Sequence, residues 1–250
     1  PVAQLLGQRT AELHIALASG LKDPDFSPEP FTMMYKTSLY QSLRGFAIRS
    51  LQVLRDNLAH LPESTADSAR VVLENEKTII DRYELIRRHK IEAMRIRCHG
   101  DYHLGKVLYT GNDFVITDFE GEPGRSLTQR RMKRSPLRDV AGMIRSFHYA
   151  AHTVLHTIVP LQHKPEETAP LLQRWAQYWY TWVSVEFLNS YLDTMSRTEL
   201  LPVDPGQIRL LLEAFLLDKA LYEVNYELTN RSNWVHVPLQ GIRHILETGD

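Results

Sequence analysis

The chain has 250 residues, 43% of them hydrophobic, and a formal net charge of −1 from 29 basic and 30 acidic side chains. Such balanced charge provides no overall attraction for nucleic acid or for an anionic membrane. The single cysteine excludes an intrachain disulfide framework, and the sequence shows neither a secretory signal nor an apolar run of membrane-spanning length.

These exclusions leave a small molecule or another protein as the expected partner, with no nucleic acid and no membrane. We expect a cytoplasmic protein with enough chain to bury a large core. The first residue is Pro1 rather than methionine, so we expect a piece of a longer chain or a processed product.

Apolar residues recur at helical spacing through the first 90 residues. The first predicted helix covers residues 3–19. In the loop that follows, Ser27 is predicted to cap a long helix that runs to about His60. Pro62 ends that helix, and another is predicted from about Glu63 to Arg88.

The pattern changes near residue 94. The stretches "MRIRCHG" and "KVLYTGNDFVITDF" are rich in β-branched and aromatic residues, and "TGND" is a turn signal between two short apolar runs. We therefore predict a small β-hairpin here.

Helical periodicity returns at Ser135, where serine and then proline suit the start of a helix. Further helices are predicted at about 165–195, 205–228 and 236–247. The predicted fold class is mainly α: one helical domain, residues 1–250, with a small β-hairpin insert.

Two aspartates near the hairpin are candidates for chemistry. Asp101 follows a His-Gly pair at the predicted end of one strand, and Asp118 follows an apolar strand. Adjacent antiparallel segments can bring these carboxylates to one edge with room for Mg²⁺ and a phosphate. Phosphoryl transfer needs one carboxylate to accept a proton and another to hold the metal. Taken singly, such aspartates more often serve turns or caps.

The stretches "HGDYHLGKVL" and "VITDFEGEP" resemble the catalytic and metal-binding loops of the aminoglycoside-phosphotransferase-like kinases. The maltokinase branch, often fused to trehalose synthase, is the most similar. "SPLRDVAGMIRSFHYAA" and "ALYEVNYELTNRSNWVHVPLQGI" also resemble that branch, and the match runs from about residue 5 to the end.

The resemblance implies the helical C-terminal lobe of a kinase-like fold, with the hairpin carrying the catalytic and metal loops. It also implies ATP-dependent phosphorylation of maltose to maltose 1-phosphate. Asp101 would be the catalytic base, Asp118 the Mg²⁺ ligand, and His99 would shape the loop. His103 either supports the loop by hydrogen bonding or is an ordinary core histidine. Arg138 and Asp139 would be a structural pair behind the catalytic loop.

Lys106 departs from the family pattern, which has asparagine or, in maltokinases, glutamine at this position. An amide oxygen helps hold a metal ion, whereas an ammonium group has no lone pair and repels a cation. Lys106 therefore either pairs with Asp118 in place of a metal ion, contacts the nucleotide's phosphate, or turns outward. The first two arrangements keep nucleotide chemistry, and the third weakens it.

The second departure from the family pattern is that no β-rich nucleotide lobe is recognisable before His99. These kinases place a β-rich nucleotide lobe before the helical lobe, but the residues before His99 have widely separated glycines and helical periodicity. We expect a lobe that is weak or inactive without its N-terminal lobe, with a fused trehalose synthase domain as a further partner. The alternative is a catalytically weak, carbohydrate-binding or scaffolding module attached to that synthase.

A sugar site is predicted from the aromatic stretch at 174–187. Trp175, Trp179 and Glu186 fall on about one helical face, where aromatic rings can stack on a sugar and a carboxylate can bind its hydroxyls. Core packing is the alternative for such a stripe. Glu120 lies either near the metal or sugar, or on the surface.

Overall fold

The computed structural model describes residues 1–20, 23–159 and 165–248. Its α-helices are α1 (Val2–Leu17), α2 (Met33–Asn57), α3 (Glu63–Glu74), α4 (Glu76–Arg88), α5 (Leu127–Arg131), α6 (Leu137–Ile158), α7 (Pro165–Met195), α8 (Pro205–Asn230) and α9 (His236–Thr248). Its strands are β1 (Glu29–Pro30), β2 (Met94–Arg95), β3 (Val107–Tyr109) and β4 (Phe114–Ile116). The mainly helical prediction is confirmed.

No helix in these three described ranges is both long enough and apolar enough to cross a lipid bilayer.

The chain divides into two compact units. The first comprises Pro1–Glu29 and Met94–Leu201, and the second comprises Pro30–Ala93 and Pro202–Asp250.

In the first unit, α7 packs against both α1 and α6. Gly7 permits the close approach of α1, because a Cβ at this position would overlap the backbone carbonyl of Phe187. The ring of Phe187 is fully buried and meets Phe147 of α6 edge-on, with 5.5 Å between centroids. This half of α7 is thus fixed on two sides.

The predicted hairpin is confirmed. Strands β3 and β4 pair antiparallel, with Leu108 opposite Val115, and the Thr110 amide donates to the carbonyl of Asp113 at 2.8 Å. Gly111 in this turn has φ +98°, a conformation that favours glycine. Strand β2 does not join this hairpin, because it pairs with β1 in a separate two-stranded sheet.

In the second unit, α8 packs against α2, α4 and α9, and α3 packs against α9. The buried side chains include Leu51, Leu54, Ile79 and Leu217. The guanidinium of Arg82 donates to the carbonyls of Ile245 and Leu246 at 2.7 and 3.0 Å. A positive charge near the last turn of a helix stabilises its free carbonyls.

Three predicted boundaries are corrected. Thr32 caps α2, since its Oγ1 accepts the Tyr35 amide at 3.2 Å, whereas the Ser27 hydroxyl donates to the Pro24 carbonyl. The helix predicted over 63–88 is two helices separated at Asn75. The helix predicted to start at Ser135 begins two residues later, at Leu137, and Pro136 is its N-cap.

Candidate active site

The loop that carries Asp101 is held from behind by Asp139 of α6. One carboxylate oxygen of Asp139 accepts the His99 amide at 2.7 Å, and the other accepts the Gly100 amide at 3.0 Å. The Asp139 side chain is only 2% exposed. Because a buried carboxylate needs compensating donors, these bonds fix the backbone immediately before Asp101.

Two residues distant in sequence complete the support of Asp139. Nε2 of His14, on α1, lies 3.2 Å from the Asp139 carboxylate, and Nδ1 lies 2.9 Å from the hydroxyl of Tyr191 on α7. Burial acts to raise the pKa of Asp139. The hydrogen bond and charge of His14 and the amide of Gly100 outweigh burial, so the pKa lies below its usual value.

The next residues of the loop rest on α6 and α1. Gly142 lies under the loop, and a Cβ there would be 2.5 Å from the carbonyl oxygen of Tyr102. The Tyr102 hydroxyl is 2.8 Å from that of Thr10, and the Leu104 amide donates to the Ser146 hydroxyl at 3.1 Å. Burial raises the pKa of Tyr102. The loop is therefore anchored on both sides of Asp101.

Asp101 and Asp118 meet at one ammonium group. Nζ of Lys106 contacts the Asp118 carboxylate directly and lies 3.9 Å from Oδ2 of Asp101. Two ion-pair contacts of up to about 4 Å each keep the two carboxylates within about 8 Å of one another. The predicted convergence of these acids is therefore observed.

The contact between Lys106 and Asp118 shifts the pKa of both side chains. The hydrogen bond from Lys106 lowers the pKa of Asp118, and the same bond raises the pKa of Lys106. Nε2 of His103 lies 3.7 Å from Oδ2 of Asp101. Of the three arrangements predicted for Lys106, the structure has the pairing with Asp118.

The loop that carries Asp118 adopts an uncommon backbone conformation. Asp118 has φ +65° and Gly121 has φ +75°. Non-glycine residues seldom occupy this region, and those that do concentrate at functional sites. Gly100 also has positive φ, and a Cβ there would be 3.4 Å from the Gly121 Cα, so the two loops approach closely at their glycines.

His99 connects the two loops. Its Nε2 donates to the carbonyl of Thr117 at 2.9 Å, directly before Asp118, and its ring lies 5.0 Å from that of Phe119. Because Nε2 carries the proton, Nδ1 is the acceptor that faces the Asp101 amide, at 3.4 Å. The structure thus places the imidazole where it can set the spacing of the two loops.

Other predicted site residues lie at different distances from this pair. Glu120 is exposed, and its negative charge acts to raise the pKa of Lys106. Glu186 contacts Gln4 of α1. Trp175 and Trp179 are 61% and 44% exposed, so they are not core residues. They border an apolar cavity of about 380 Å³ between α6 and α7.

The tryptophans lie toward the other end of α7 from the loop. Trp175 and Trp179 precede Tyr191, which supports the loop through His14, by 16 and 12 residues. At about 1.5 Å per residue, these separations are about 24 and 18 Å along the helix. The structure therefore does not bring them to Asp101.

His14, Thr10 and Tyr191 are supporting residues that the sequence analysis did not identify. One signal was available, because Thr10 and His14 are polar residues four apart in the otherwise apolar stripe of α1. Their partners are far away in the sequence, and the pattern gives no indication of them.

Comparison with known proteins finds that this chain is similar to proteins named glucosamine kinase. It is 23% identical over 242 residues to one from Streptacidiphilus jiangxiensis, covering 95% of this chain and 47% of the relative. It is 30% identical over 153 residues to one from Mycolicibacterium smegmatis, covering 60% of this chain and 34% of the relative. The chain thus spans half or less of the length of these curated relatives. No family model matches it.

Solved structures show the same fold. A glucosamine kinase matches with a TM-score of 0.75 at 22% identity, over 100% of this chain and 53% of that chain. A glucosamine kinase in complex with glucosamine, ADP and inorganic phosphate matches with a TM-score of 0.74 at 22% identity, over 98% and 54%. The helical architecture described above is therefore a glucosamine kinase-like fold.

These comparisons correct the resemblance drawn from the sequence. The identification with maltokinases was wrong, and so was the assignment of maltose phosphorylation, since the matching proteins are named glucosamine kinase. Nothing in the comparisons supports a fused trehalose synthase or a scaffolding role attached to one.

Proposed function

We propose that this chain is the catalytic-loop lobe of an ATP-dependent kinase that phosphorylates a small sugar, with glucosamine as the acceptor. The observation that carries the proposal is the meeting of Asp101 and Asp118 at Lys106, on loops whose backbones are fixed from behind. The similarity to proteins named glucosamine kinase over 95% of the chain supports the choice of acceptor.

In this proposal Asp101 is the catalytic base. A hydroxyl oxygen of the sugar attacks the γ-phosphorus of ATP, the bond from that phosphorus to the bridging oxygen breaks, and ADP leaves. The hydroxyl proton passes to the Asp101 carboxylate. The Asp101 side chain is 15% exposed, and the hydrogen bonds around it keep its backbone in place. Such positioning is most of what phosphoryl transfer requires from a protein.

Charge favours an amino sugar at this site. At neutral pH, glucosamine carries an ammonium group, and Glu120 offers an exposed carboxylate close enough to influence Lys106. We assign Glu120 to the acceptor on this basis. Trp175, Trp179 and Glu186 stay predicted carbohydrate contacts. At about 18–24 Å along α7 from Tyr191, the two tryptophans would contact a carbohydrate other than the glucosamine held at Asp101.

The nucleotide is proposed to be ATP, with His103 and Lys106 on its side of the loop. The organisation of residues 1–250 as one kinase-like lobe, with the nucleotide lobe outside it, also stays a proposal. It is supported by the share of the relatives that this chain covers, about half of the solved structures.

The test is phosphate transfer from γ-labelled ATP to glucosamine by the full-length protein, beside its Asp101→Asn variant. We expect transfer by the unaltered protein and a decrease of about 10²–10⁴-fold in kcat for the variant, which loses the proton acceptor but keeps the side-chain volume. Asp67→Asn, on the exposed face of α3, is the matched control and should leave kcat unchanged.

Glucose and maltose serve as competing acceptors in the same assay. Transfer to either one in preference to glucosamine would contradict the assigned acceptor. Equal rates for the unaltered protein and Asp101→Asn would remove Asp101 from the reaction.

A further inference from the structure

Lys106 occupies the space between the two acids. It is the last residue of a short 3₁₀ turn, Leu104–Lys106, directly before β3. Its side chain is 19% exposed, and its Nζ contacts Asp118 and lies 3.9 Å from Asp101. Glu120 adds a further negative charge nearby. The ammonium group is thus the centre of an acidic cluster.

This arrangement does not fit a divalent cation held between the two aspartates. Mg²⁺ binds oxygen ligands that carry lone pairs, and an ammonium group offers none and repels the ion. Within the described ranges, no group of three or more histidine, cysteine, aspartate or glutamate side chains is arranged to hold a metal. The Mg²⁺ that the sequence assigned to Asp118 would have to displace Lys106 from its partner.

The backbone keeps Lys106 in this position. The Lys106 amide donates to the His103 carbonyl at 2.8 Å, and the Lys106 carbonyl accepts the Thr117 amide at 2.9 Å. The second bond ties Lys106 to the residue directly before Asp118. The lysine and its partner are therefore held side by side by the main chain, independently of their charges.

We propose that Lys106 is a built-in cation that takes the place of a divalent metal ion between Asp101 and Asp118. Its ammonium group neutralises the two carboxylates and supplies the positive charge that faces the phosphates of a nucleotide. The naming of a nucleotide phosphate as its ligand rests on the proposed kinase function. The exclusion of a metal ion from the space between Asp101 and Asp118 does not depend on the kinase function.

The test measures Mn²⁺ binding by the full chain, using the loss of the free-ion signal in electron paramagnetic resonance. We expect weak binding by the unaltered chain. Lys106→Gln removes the positive charge and adds an amide oxygen, so it should bind Mn²⁺ at least about tenfold more tightly. Lys106→Arg keeps the charge and should bind as weakly as the unaltered chain.

Lys77→Gln is the matched control, because it makes the same charge change at an exposed lysine of α4. It should leave Mn²⁺ binding unchanged. Far-ultraviolet circular dichroism establishes that each variant is folded, and Lys106→Met replaces Lys106→Gln should the latter unfold.

Several results would overturn the proposal. These are tight Mn²⁺ binding by the unaltered chain, no gain in the glutamine variant, or an equal gain in Lys106→Arg or Lys77→Gln. The measurement involves no sugar, ATP or phosphate transfer. A failure of the kinase assay and a failure of this inference are therefore separate results.

Discussion

The loop that carries Asp101 and the helix α2 are stabilised by different kinds of contact. Helix α2 buries an apolar stripe that includes Leu43, Leu51 and Leu54, and its packing depends on filled volume. The loop depends instead on a buried carboxylate, on backbone amides and on a glycine that admits a carbonyl. The same type of substitution should therefore have different consequences in the two regions.

The largest effect is expected from Asp139→Ala. The variant leaves the amides of His99 and Gly100 without their acceptor and His14 without its charged partner, in a site that is almost fully buried. We expect a loss of about 3–5 kcal/mol in the free energy of unfolding. Chemical denaturation monitored by circular dichroism measures it.

The control for this comparison is Asp67→Ala, which removes an exposed carboxylate that pairs with Arg70 on α3. A change within about 0.5 kcal/mol is expected there.

The unaltered chain should also lose the contribution of Asp139 to folding stability in acid. Because the folded-state pKa is lowered, the contribution is complete above the ordinary aspartate value of about 3.9 and is lost as pH falls below it. Equal denaturation midpoints for Asp139→Ala and Asp67→Ala would contradict the assigned role of Asp139.

A pair of glycine substitutions should change stability in opposite directions. Gly142→Ala places a Cβ 2.5 Å from the Tyr102 carbonyl, so α6 or the loop must move, at a cost of about 1–3 kcal/mol. In α2, a Cβ at Gly45 would meet only the end of the flexible Arg49 side chain, at 3.4 Å. Gly45→Ala should stabilise the chain by up to about 1 kcal/mol, because alanine is the better helix former.

Thermal unfolding of the two glycine variants shows directly whether each substitution stabilises or destabilises the chain. Hydrogen exchange shows which part of the chain is affected, because Gly142→Ala should increase exchange at the amides of residues 99–106 and Gly45→Ala should not. Stabilisation by Gly142→Ala would show that the loop is not held against α6 in the way described.

The contrast between the two regions also explains how much the sequence could predict. Helices α7, α8 and α9 were predicted nearly to their ends, because their apolar periodicity is a local signal, as are the prolines that begin α7 and α8. The hairpin was predicted for the same reason, from the turn at 110–113. The break at Asn75 was missed, because residues on both sides of it continue the helical pattern.

The candidate site was predicted only in part. Asp101, Asp118 and their loops were found because their motifs are contiguous in the sequence. Asp139 was predicted to lie behind the catalytic loop, but its own partners were not found, because His14 and Asp139 are 125 residues apart and His14 and Tyr191 are 177 apart. Such pairs meet only after the helices pack. The sugar was assigned wrongly, because the assignment rested on a resemblance of sequence motifs and not on residues placed against a sugar.

The smallest effect is expected from Tyr191→Phe, which removes one hydroxyl from the loop's support. Tyr191 is fully buried, and its hydroxyl lies 2.9 Å from Nδ1 of His14, whose Nε2 faces Asp139. Without it, a buried ring nitrogen loses its partner, and the free energy of unfolding should fall by about 1 kcal/mol. Tyr109→Phe removes an exposed hydroxyl from the hairpin, where water replaces the lost bond, and should change stability by less than about 0.5 kcal/mol. Urea denaturation of the two variants side by side measures the difference, and equal midpoints would mean that Tyr191 adds nothing to the hold of His14 on Asp139.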